Sequence, residues 1–535
     1  MAYTIPNECV QCGLCVPACP TNAIQLDANN NYWVEPGLCN NCEEQNSPPA
    51  CLSYCPDNLP VPLPQKKGRY KVDLQALPTQ YLFADGYSNP MSSAMVIWEA
   101  CNILAKGQIF PWQVDERGKV YHERQVKQGK GKIEFRLADD LISENPETLS
   151  YKEASSLLES MDIRSTCLHL IFAASITALE KPWEQEIVLN NQQIETYLGL
   201  DKRKDLSKAS KLTLIKALVQ QPCQLVVNIN WFQQGKIKSF STPPDRIWHL
   251  VAIENHFQED SQGYKHLVSM TFKLRAGIWS KYFFNIQGYK EYLAYYQYGT
   301  LPKFLLSTVM GVWHQHEGAV RIMLWLLFKS KMGRQQCITV LKLMYVAYGE
   351  AKVREDSAER EKRKRLIRRF ESDLELLASY NIKAVFDPVT YPLKIQPLWA
   401  RLADIPEDAD ESLDFWINDA NNEDSITNSP PPGKWNLLMK SRILQFQLPS
   451  EWNEKLSNWE NKKQRRSNTK KKVNNLSILD GKQIANARKL QGISQRKLAE
   501  KLGKSQSWIR DLEKGRFSAK HHDRLKIIQV LNIKQ

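Results

Sequence analysis

Positive charge is missing from the start of this 535-residue chain. Its first 64 residues hold no lysine or arginine but six acids (Glu8, Asp27, Glu35, Glu43, Glu44 and Asp57), a formal charge of −6. A segment of that sign repels polyanions. Long apolar runs are missing as well. The longest, Leu170 to Leu179, is half of the roughly 20 residues needed to span a bilayer, so no membrane insertion is expected. The opening MAYTIPNECV lacks the basic and apolar regions of a secretory signal, which makes the cytoplasm, with its reduced thiols, the expected location. There is no P-loop, no nucleotide-binding glycine motif and no C-x3-C-x2-C run. With no catalytic constellation in view, the chain is not expected to be an enzyme. Cysteine is sparse after residue 55, where only Cys101, Cys167, Cys223 and Cys337 remain, expected as buried structural side chains.

Before residue 56, by contrast, cysteine is dense. Cys9, Cys12, Cys15 and Cys19-Pro20 follow a C-x2-C-x2-C-x3-C-P spacing, and Cys39, Cys42, Cys51 and Cys55-Pro56 repeat it with a longer central loop. In such runs three thiolates hold one cubane and the fourth reaches across to the other. Cys9, Cys12, Cys15 and Cys55 are therefore expected to hold one 4Fe-4S cluster, and Cys19, Cys39, Cys42 and Cys51 a second. A disulfide framework would need an oxidising compartment. Structural zinc favours two separated C-x2-C pairs, which this run does not offer. Residues 1–64 resemble the bacterial 2[4Fe-4S] ferredoxin module, departing from its minimal form in the eight residues Glu43 to Ala50.

Charge inverts at the other end. From Asn461 to Gln535 there are 21 lysines and arginines against 5 acids, a balance suited to nucleic acid. The punctuation there predicts three short helices. Gly481 to Leu490 turns Ile484, Ala487 and Leu490 to one face and stops at Gly492. Ser494 caps a second helix through Leu502, with Leu498 and Leu502 inward, Ala499 at a close approach and Gly503 at the turn. Ser505 caps a third, burying Ile509 and Leu512 and exposing Gln506, Ser507, Arg510 and Asp511.

This stretch resembles the Cro/repressor (XRE-type) helix-turn-helix family. The resemblance implies that Gln506, Ser507 and Asp511 stand at base-reading positions and Gln495 at a phosphate-contacting one. Lys504, Arg510 and Arg516 complete the expected DNA-facing set, and Arg488 with Glu513 matches a structural ion pair of the family. Ile528 stands where the family usually has alanine, and the proline common after the third helix is absent near Phe517. The preceding basic run, including Lys462, Lys463, Arg465, Arg466, Lys470, Lys471 and Lys472, reads as a solvated linker that also tracks phosphates.

The fold class expected is multidomain α+β. It comprises a ferredoxin-like domain at 1–64, an α/β middle region at 65–407, a flexible linker with a basic segment at 408–475 and an all-α helix-turn-helix domain at 476–535. Within the middle region, the helix, helix, hairpin order at 187–255 is that of a winged helix, an order that other α+β domains share, and a wing there suits protein as readily as DNA. The first helix is capped by Asn191 and ended by Gly199, the second runs near Ser207 to Val219, and the strands are CQLVVNINW and KIKSF. Leu301 to Tyr348, with Trp313, Trp325 and Phe328, reads as core. His314 and His316 have nothing nearby to complete a metal site. Residues 352–380 read as one long amphipathic helix with Val353, Leu366, Phe370, Leu374 and Leu377 inward.

The pairing of the two ends resembles the cyanobacterial nitrogen-fixation transcriptional activators. That resemblance implies a low-oxygen activator whose clusters sense oxygen or redox state. Its implied partners are promoter double-stranded DNA, a second copy of the chain, since one helix-turn-helix reads only a few base pairs, and RNA polymerase. The rival reading is a ferredoxin-domain electron-transfer protein or reductase component whose helix-turn-helix serves another interaction.

Overall fold

The computed structural model describes residues 3–5, 9–26, 30–35, 38–40, 42, 49–57, 59–62, 81–83, 85–141, 146–259, 265–291, 293–295, 298–330, 337–403, 405, 408–420, 431, 433–449, 452, 481–516, 519 and 521–531. The basic run at 462–472, most of the Glu43–Ala50 insertion and Phe517 lie outside them. The chain forms two compact units, Met1–Lys455 and Leu456–Gln535.

The first unit begins with a small module. Tyr3–Thr4 pairs antiparallel with Val61–Pro62, and Ile24–Leu26 pairs antiparallel with Tyr32–Val34. Single-turn helices at Cys15–Ala18 and Ala50–Tyr54 complete it. Its own core is small: Ile5, Cys15, Ala23, Ile24 and Val34.

The rest of this unit shares one large core. At its centre lies the helix Ser165–Ile176, in which every residue is buried. Its sequence STCLHLIFAASI carries no charge and is apolar on most of its circumference, the pattern of a helix surrounded by protein. Met95–Lys106 packs against it. An antiparallel five-stranded sheet runs in the order Phe240–Arg246, Leu225–Trp231, Gly131–Leu137, Val120–Val126, Gln113–Val114. A three-stranded sheet has Lys265–Ala276 between Trp248–Glu259 and Glu186–Asn190.

The winged-helix elements expected at 187–255 are present in order, but their partners differ. Asn190, not Asn191, caps the first helix, Asn191–Leu198, in a reciprocal capping box with Gln193. Asn191 is buried, and its side-chain carbonyl accepts hydrogen bonds from Ser269 Oγ and the Met270 N–H. Gly199 ends the helix at φ +72°, and Ser207 caps the second helix, Lys208–Cys223. KIKSF is mostly turn, bridged between Gln234 and Ile237, and the second strand begins at Phe240. That hairpin joins the five-stranded sheet, with Val227 opposite Phe135. The strand that precedes the helices pairs instead with the next hairpin, Leu189 opposite Phe272.

Three further expectations are corrected. The segment 352–380 is two helices, Glu350–Ala358 and Arg360–Ser379, separated by Glu359 in an extended conformation (φ −106°, ψ 136°). At about 100° per residue, Val353 lies roughly 140° around a straight helix from Leu366, so the break allows both to reach the core. The proposed linker 408–475 is structured over much of its described length. It contains the helices Ala409–Ala420 and Lys434–Lys440. Arg442–Gln447 is the central strand between Ile338–Thr339 and Lys383–Phe386. Leu438, Ile443, Phe446 and Trp452 belong to the core of the first unit. Finally, Cys101, Cys167 and Cys223 are buried, whereas Cys337 is exposed.

A chain ended after residue 407 would lose the middle strand of that sheet, leaving two edges unpaired, together with Trp452 at 1% exposure. Deleting residues 408–455 from the first unit is expected to abolish its cooperative thermal transition. A chain ended at 455 is expected to retain it. Equal melting of both truncations would show that this segment is not part of the fold.

Candidate metal centres and nucleic-acid interface

The cysteine spacing becomes two cavities. One is lined by Cys9, Cys12, Cys15 and Cys55 with Ile5 and Leu59. The other is lined by Cys19, Cys39, Cys42 and Cys51 with Ala23 and Val34. Each set is the one that the crossed spacing predicts. The turn between Cys12 and Cys15 depends on Gly13, at φ +73°, where a Cβ would stand 2.9 Å from the Tyr32 hydroxyl.

The donor chemistry fits 4Fe-4S clusters: four sulfurs around each apolar hollow, with backbone N–H groups directed at some of them. The Ala23 N–H lies 3.3 Å from Cys19 Sγ, and the Leu59 N–H 3.5 Å from Cys55 Sγ. Burial pushes the Cys51 thiol up to about 11, and Cys39, Cys42 and Cys19 beside it add to the rise. Burial likewise raises Cys15, with Cys9, Cys12 and Cys55 contributing. Cys19 goes the other way, because Thr21 and the surrounding backbone donors outweigh its burial. Thiols crowded in a half-buried hollow give up their protons to a metal that compensates the charge, which is what a cluster supplies.

Elsewhere, candidate ligands are otherwise engaged. His316 Nδ1 lies 2.9 Å from Asp373 Oδ1, and Asp373 also accepts from the Tyr348 hydroxyl at 2.6 Å. His314 packs edge-on to Trp313.

In the second unit, helices Gly481–Leu490, Gln495–Leu502, Gln506–Glu513 and His521–Leu531 surround Ile484, Leu498, Ala499, Leu502, Ile509, Leu512 and Ile527. Ser494 accepts from the Lys497 N–H and Ser505 from the Trp508 N–H, so both predicted caps are made. Gly503 takes φ +65° at the turn. Leu490 departs from expectation and is 89% exposed, because the inward stripe of its helix runs through Ile484, Ala487 and Arg488.

Gln506, Ser507 and Arg510 are exposed along the third helix, and Asp511 is half-buried. Arg516 Nη1 donates to Asp511 Oδ1 at 3.0 Å, which fixes the carboxylate on that face. Lys504 Nζ lies 3.1 Å from Asp523 and over the Trp508 ring. Gln495 is tied inward, its Nε2 donating to Glu513 Oε2 at 2.8 Å. Arg488 pairs with the same carboxylate through Nε at 2.6 Å and Nη2 at 3.1 Å, and its Nη1 donates to the Ile493 carbonyl. The expected ion pair is thus the polar centre of this small core, and Gln495, at the start of the second helix, is anchored to it.

Burial alone would raise the Glu513 carboxyl, but the bonds from Arg488 and Gln495 outweigh it and hold the group below its ordinary value near 4.5. The pair's contribution is therefore present in full above that value and is lost as pH falls through the depressed folded value. Thermal melts of residues 476–535 should show a midpoint that is steady at neutral pH and falls once the pH drops below 4.5. Glu513→Gln should cost roughly 3 kcal/mol, as expected when a buried charge loses its partner, and should flatten that acid limb. An unchanged limb would place the acid sensitivity elsewhere.

Comparison with known proteins agrees at both ends. The family described as "4Fe-4S binding domain" matches residues 2–25, and the one described as "Helix-turn-helix" matches residues 484–534. A "Ferredoxin-like protein in nif region" from Nostoc sp. is 42% identical over 57 residues, covering 10% of this chain and 49% of that protein. Its counterpart from Trichormus variabilis is 40% identical over the same length. The chain thus spans about half the length of these relatives. Ferredoxin-1 of Chlorobaculum tepidum is 43% identical over 56 residues, covering 10% of this chain and 89% of the ferredoxin. A solved structure of RctB domains 2-3 covers 52% of the chain at 12% identity and a TM-score of 0.27, too slight a likeness to bear on the fold. Through its N-terminal module, the chain belongs to the family of bacterial 4Fe-4S ferredoxins.

Proposed function

We propose that the chain is a DNA-binding transcriptional regulator that responds to oxygen or redox state through two 4Fe-4S clusters and activates nitrogen-fixation genes. In this reading it resembles the cyanobacterial activator CnfR, also called PatB. It acts as a homodimer on promoter DNA, contacts RNA polymerase and carries out no catalysis. The observation that carries the reading is the presence, on one chain, of two four-cysteine cavities and a helix-turn-helix whose third helix exposes Gln506, Ser507 and Arg510. The nif-region location in the names of two relatives supports the choice of genes.

When bound, the clusters supply one-electron chemistry and an oxygen-labile cross-link. The rest of the account belongs to the chain. Cys9, Cys12 and Cys15 clasp one cavity from the N-terminal loop while Cys55 closes it from the second helix, and the other set is crossed in the same way. Each cavity therefore joins the two halves of the module, and losing either set of thiolate bonds removes one of the two ties between them.

The tail supplies recognition. A single recognition helix reads few base pairs, so two copies spaced by about one helical turn give a usable site. Gln506 and Ser507 begin the recognition helix, where side chains meet base edges, and Lys471, outside the described residues, adds sequence-independent attraction.

Cys12→Ser should abolish activation of a nitrogen-fixation promoter while leaving residues 476–535 able to bind its DNA. Bound iron should fall from about eight to about four atoms per chain in Cys51→Ser if each cavity holds one 4Fe-4S cluster. Gln506→Ala should relax sequence preference, whereas Lys471→Ala should mainly lower the salt slope. Activation that persists in Cys12→Ser, with its first cluster gone, would favour the electron-transfer reading.

A further inference from the structure

The cysteine module does not stand alone. Lys216, on the outer side of the helix Lys208–Cys223, reaches Glu35 of the module at 2.7 Å, and the Glu35 side chain is only 4% exposed. Trp33 of the module meets Phe257, on the strand Trp248–Glu259, edge to face at 5.1 Å between ring centres. The module therefore spans a helix and a hairpin that are distant in sequence.

Those two elements belong to one arrangement. The helix Ser165–Ile176 leads to the strand Glu186–Asn190, then to the helices Asn191–Leu198 and Lys208–Cys223, which meet across the turn at Gly199. The hairpin Trp248–Glu259/Lys265–Ala276 completes a three-stranded sheet with that first strand, the central strand being the last in sequence. Three helices, a helix–turn–helix pair and a terminal hairpin in this sheet order are the elements of a winged helix, into which the hairpin Leu225–Arg246 is inserted. In a helix-turn-helix the second helix of the pair is the one that enters the major groove. Here that helix is Lys208–Cys223.

Charge agrees with the geometry. Residues 201–216, the turn and first half of this helix, hold six cations, Lys202, Arg203, Lys204, Lys208, Lys211 and Lys216, against Asp201 and Asp205. The module covering the face has six acids and no cation in its 64 residues. An acidic body on a cationic helix and beside the hairpin occupies the place of a duplex.

We propose that residues 165–223, 248–259 and 265–276 form a second duplex-DNA-binding surface, which the acidic cysteine module covers while it is folded. The link to the thiolates is short. The Glu35 carbonyl accepts from the Cys39 N–H at 3.1 Å, and the Glu35 N–H donates to the Ala23 carbonyl at 2.7 Å. The residue that pairs with Lys216 is thus held by the loop that delivers Cys39 to its cavity. Loss of the thiolate bonds frees Glu35 and uncovers the cationic helix. This inference deepens the regulator reading and rests on it for biological meaning, but not for its test.

The test uses the full chain, purified and kept anaerobic, with a random-sequence DNA duplex as probe. Glu35→Gln weakens the docking from the module, and Phe257→Ala weakens it from the hairpin. With iron content equal to wild type, each is expected to bind the random duplex about tenfold more tightly at 0.1 M salt. Each should also steepen the salt slope by about 2, since each phosphate contact contributes roughly 0.9. Adding Lys204→Glu with Lys211→Glu should cancel both gains. Unchanged binding in both docking variants overturns the proposal, as does a gain that survives the two charge reversals. Preference for promoter over random duplex, read on the same preparations, tests the regulator reading separately. Its absence would leave the result on the random probe intact.

Discussion

Thiolate ligation is the constraint from which the rest follows. Among the described residues, the N-terminal module's own core consists of Ile5, Ala23, Ile24 and Val34 besides Cys15. So few side chains cannot offset the conformational entropy of ordering some 60 residues, which is why domains of this size need metals or disulfides. On the proposed reading, ligation in the two four-cysteine cavities, each lined from both halves of the module, supplies the missing bonds. Their formation is then folding free energy for the module, and a change in the bound metal becomes a change in whether an acidic, folded body exists.

A large, rigid partner turns that local event into something the rest of the chain can register. The first unit's core surrounds the fully buried helix Ser165–Ile176 and extends to Trp452. Among the described residues, an ion pair and an aromatic contact hold the module against this frame. Neither is large enough to stabilise an unfolded module, so the contact reports its state without overriding it. An exposed ion pair contributes only tenths of a kcal/mol, whereas one with a nearly buried carboxylate such as Glu35 is strongly disfavoured when only one partner remains. The helix-turn-helix needs no such help. Its Arg488–Glu513–Gln495 network and its two serine caps organise it from within. For a regulator, what matters is the ratio of specific to non-specific binding across an excess of competing sites. Uncovering a second cationic surface lowers that ratio even if the tail is untouched.

The parts of this architecture legible in the sequence are those set by local chemistry. Cysteine spacing determined which thiols share a cavity, because the turns between them are short and Gly13 supplies the positive φ that one of them needs. Ser494, Gly503 and Ser505 determined the helix-turn-helix because caps and left-handed turns act within four residues. The errors lie where distant pairing decides. Glu186–Asn190 has two hairpins to choose from and takes the later one, with Leu189 opposite Phe272. Asn190 and Asn191 are both good caps, and the outcome is decided by Ser269 and Met270, which claim Asn191. Arg442–Gln447 follows a polar, proline-rich stretch that resembles a linker, and only its non-local partners Ile338–Thr339 and Lys383–Phe386 make it a central strand. Glu35 and Lys216 are 181 residues apart, and neither has a local signal.

The most direct measurement of the central claim is the ratio of affinities for nitrogen-fixation promoter DNA and random duplex. It should be followed on one anaerobic preparation as air is admitted and the visible cluster absorption bleaches. The account predicts a high ratio with intact clusters that falls in step with the absorption, while salt-sensitive binding to random DNA rises. A ratio that stays constant through complete bleaching would contradict it and would leave the clusters a role apart from DNA recognition.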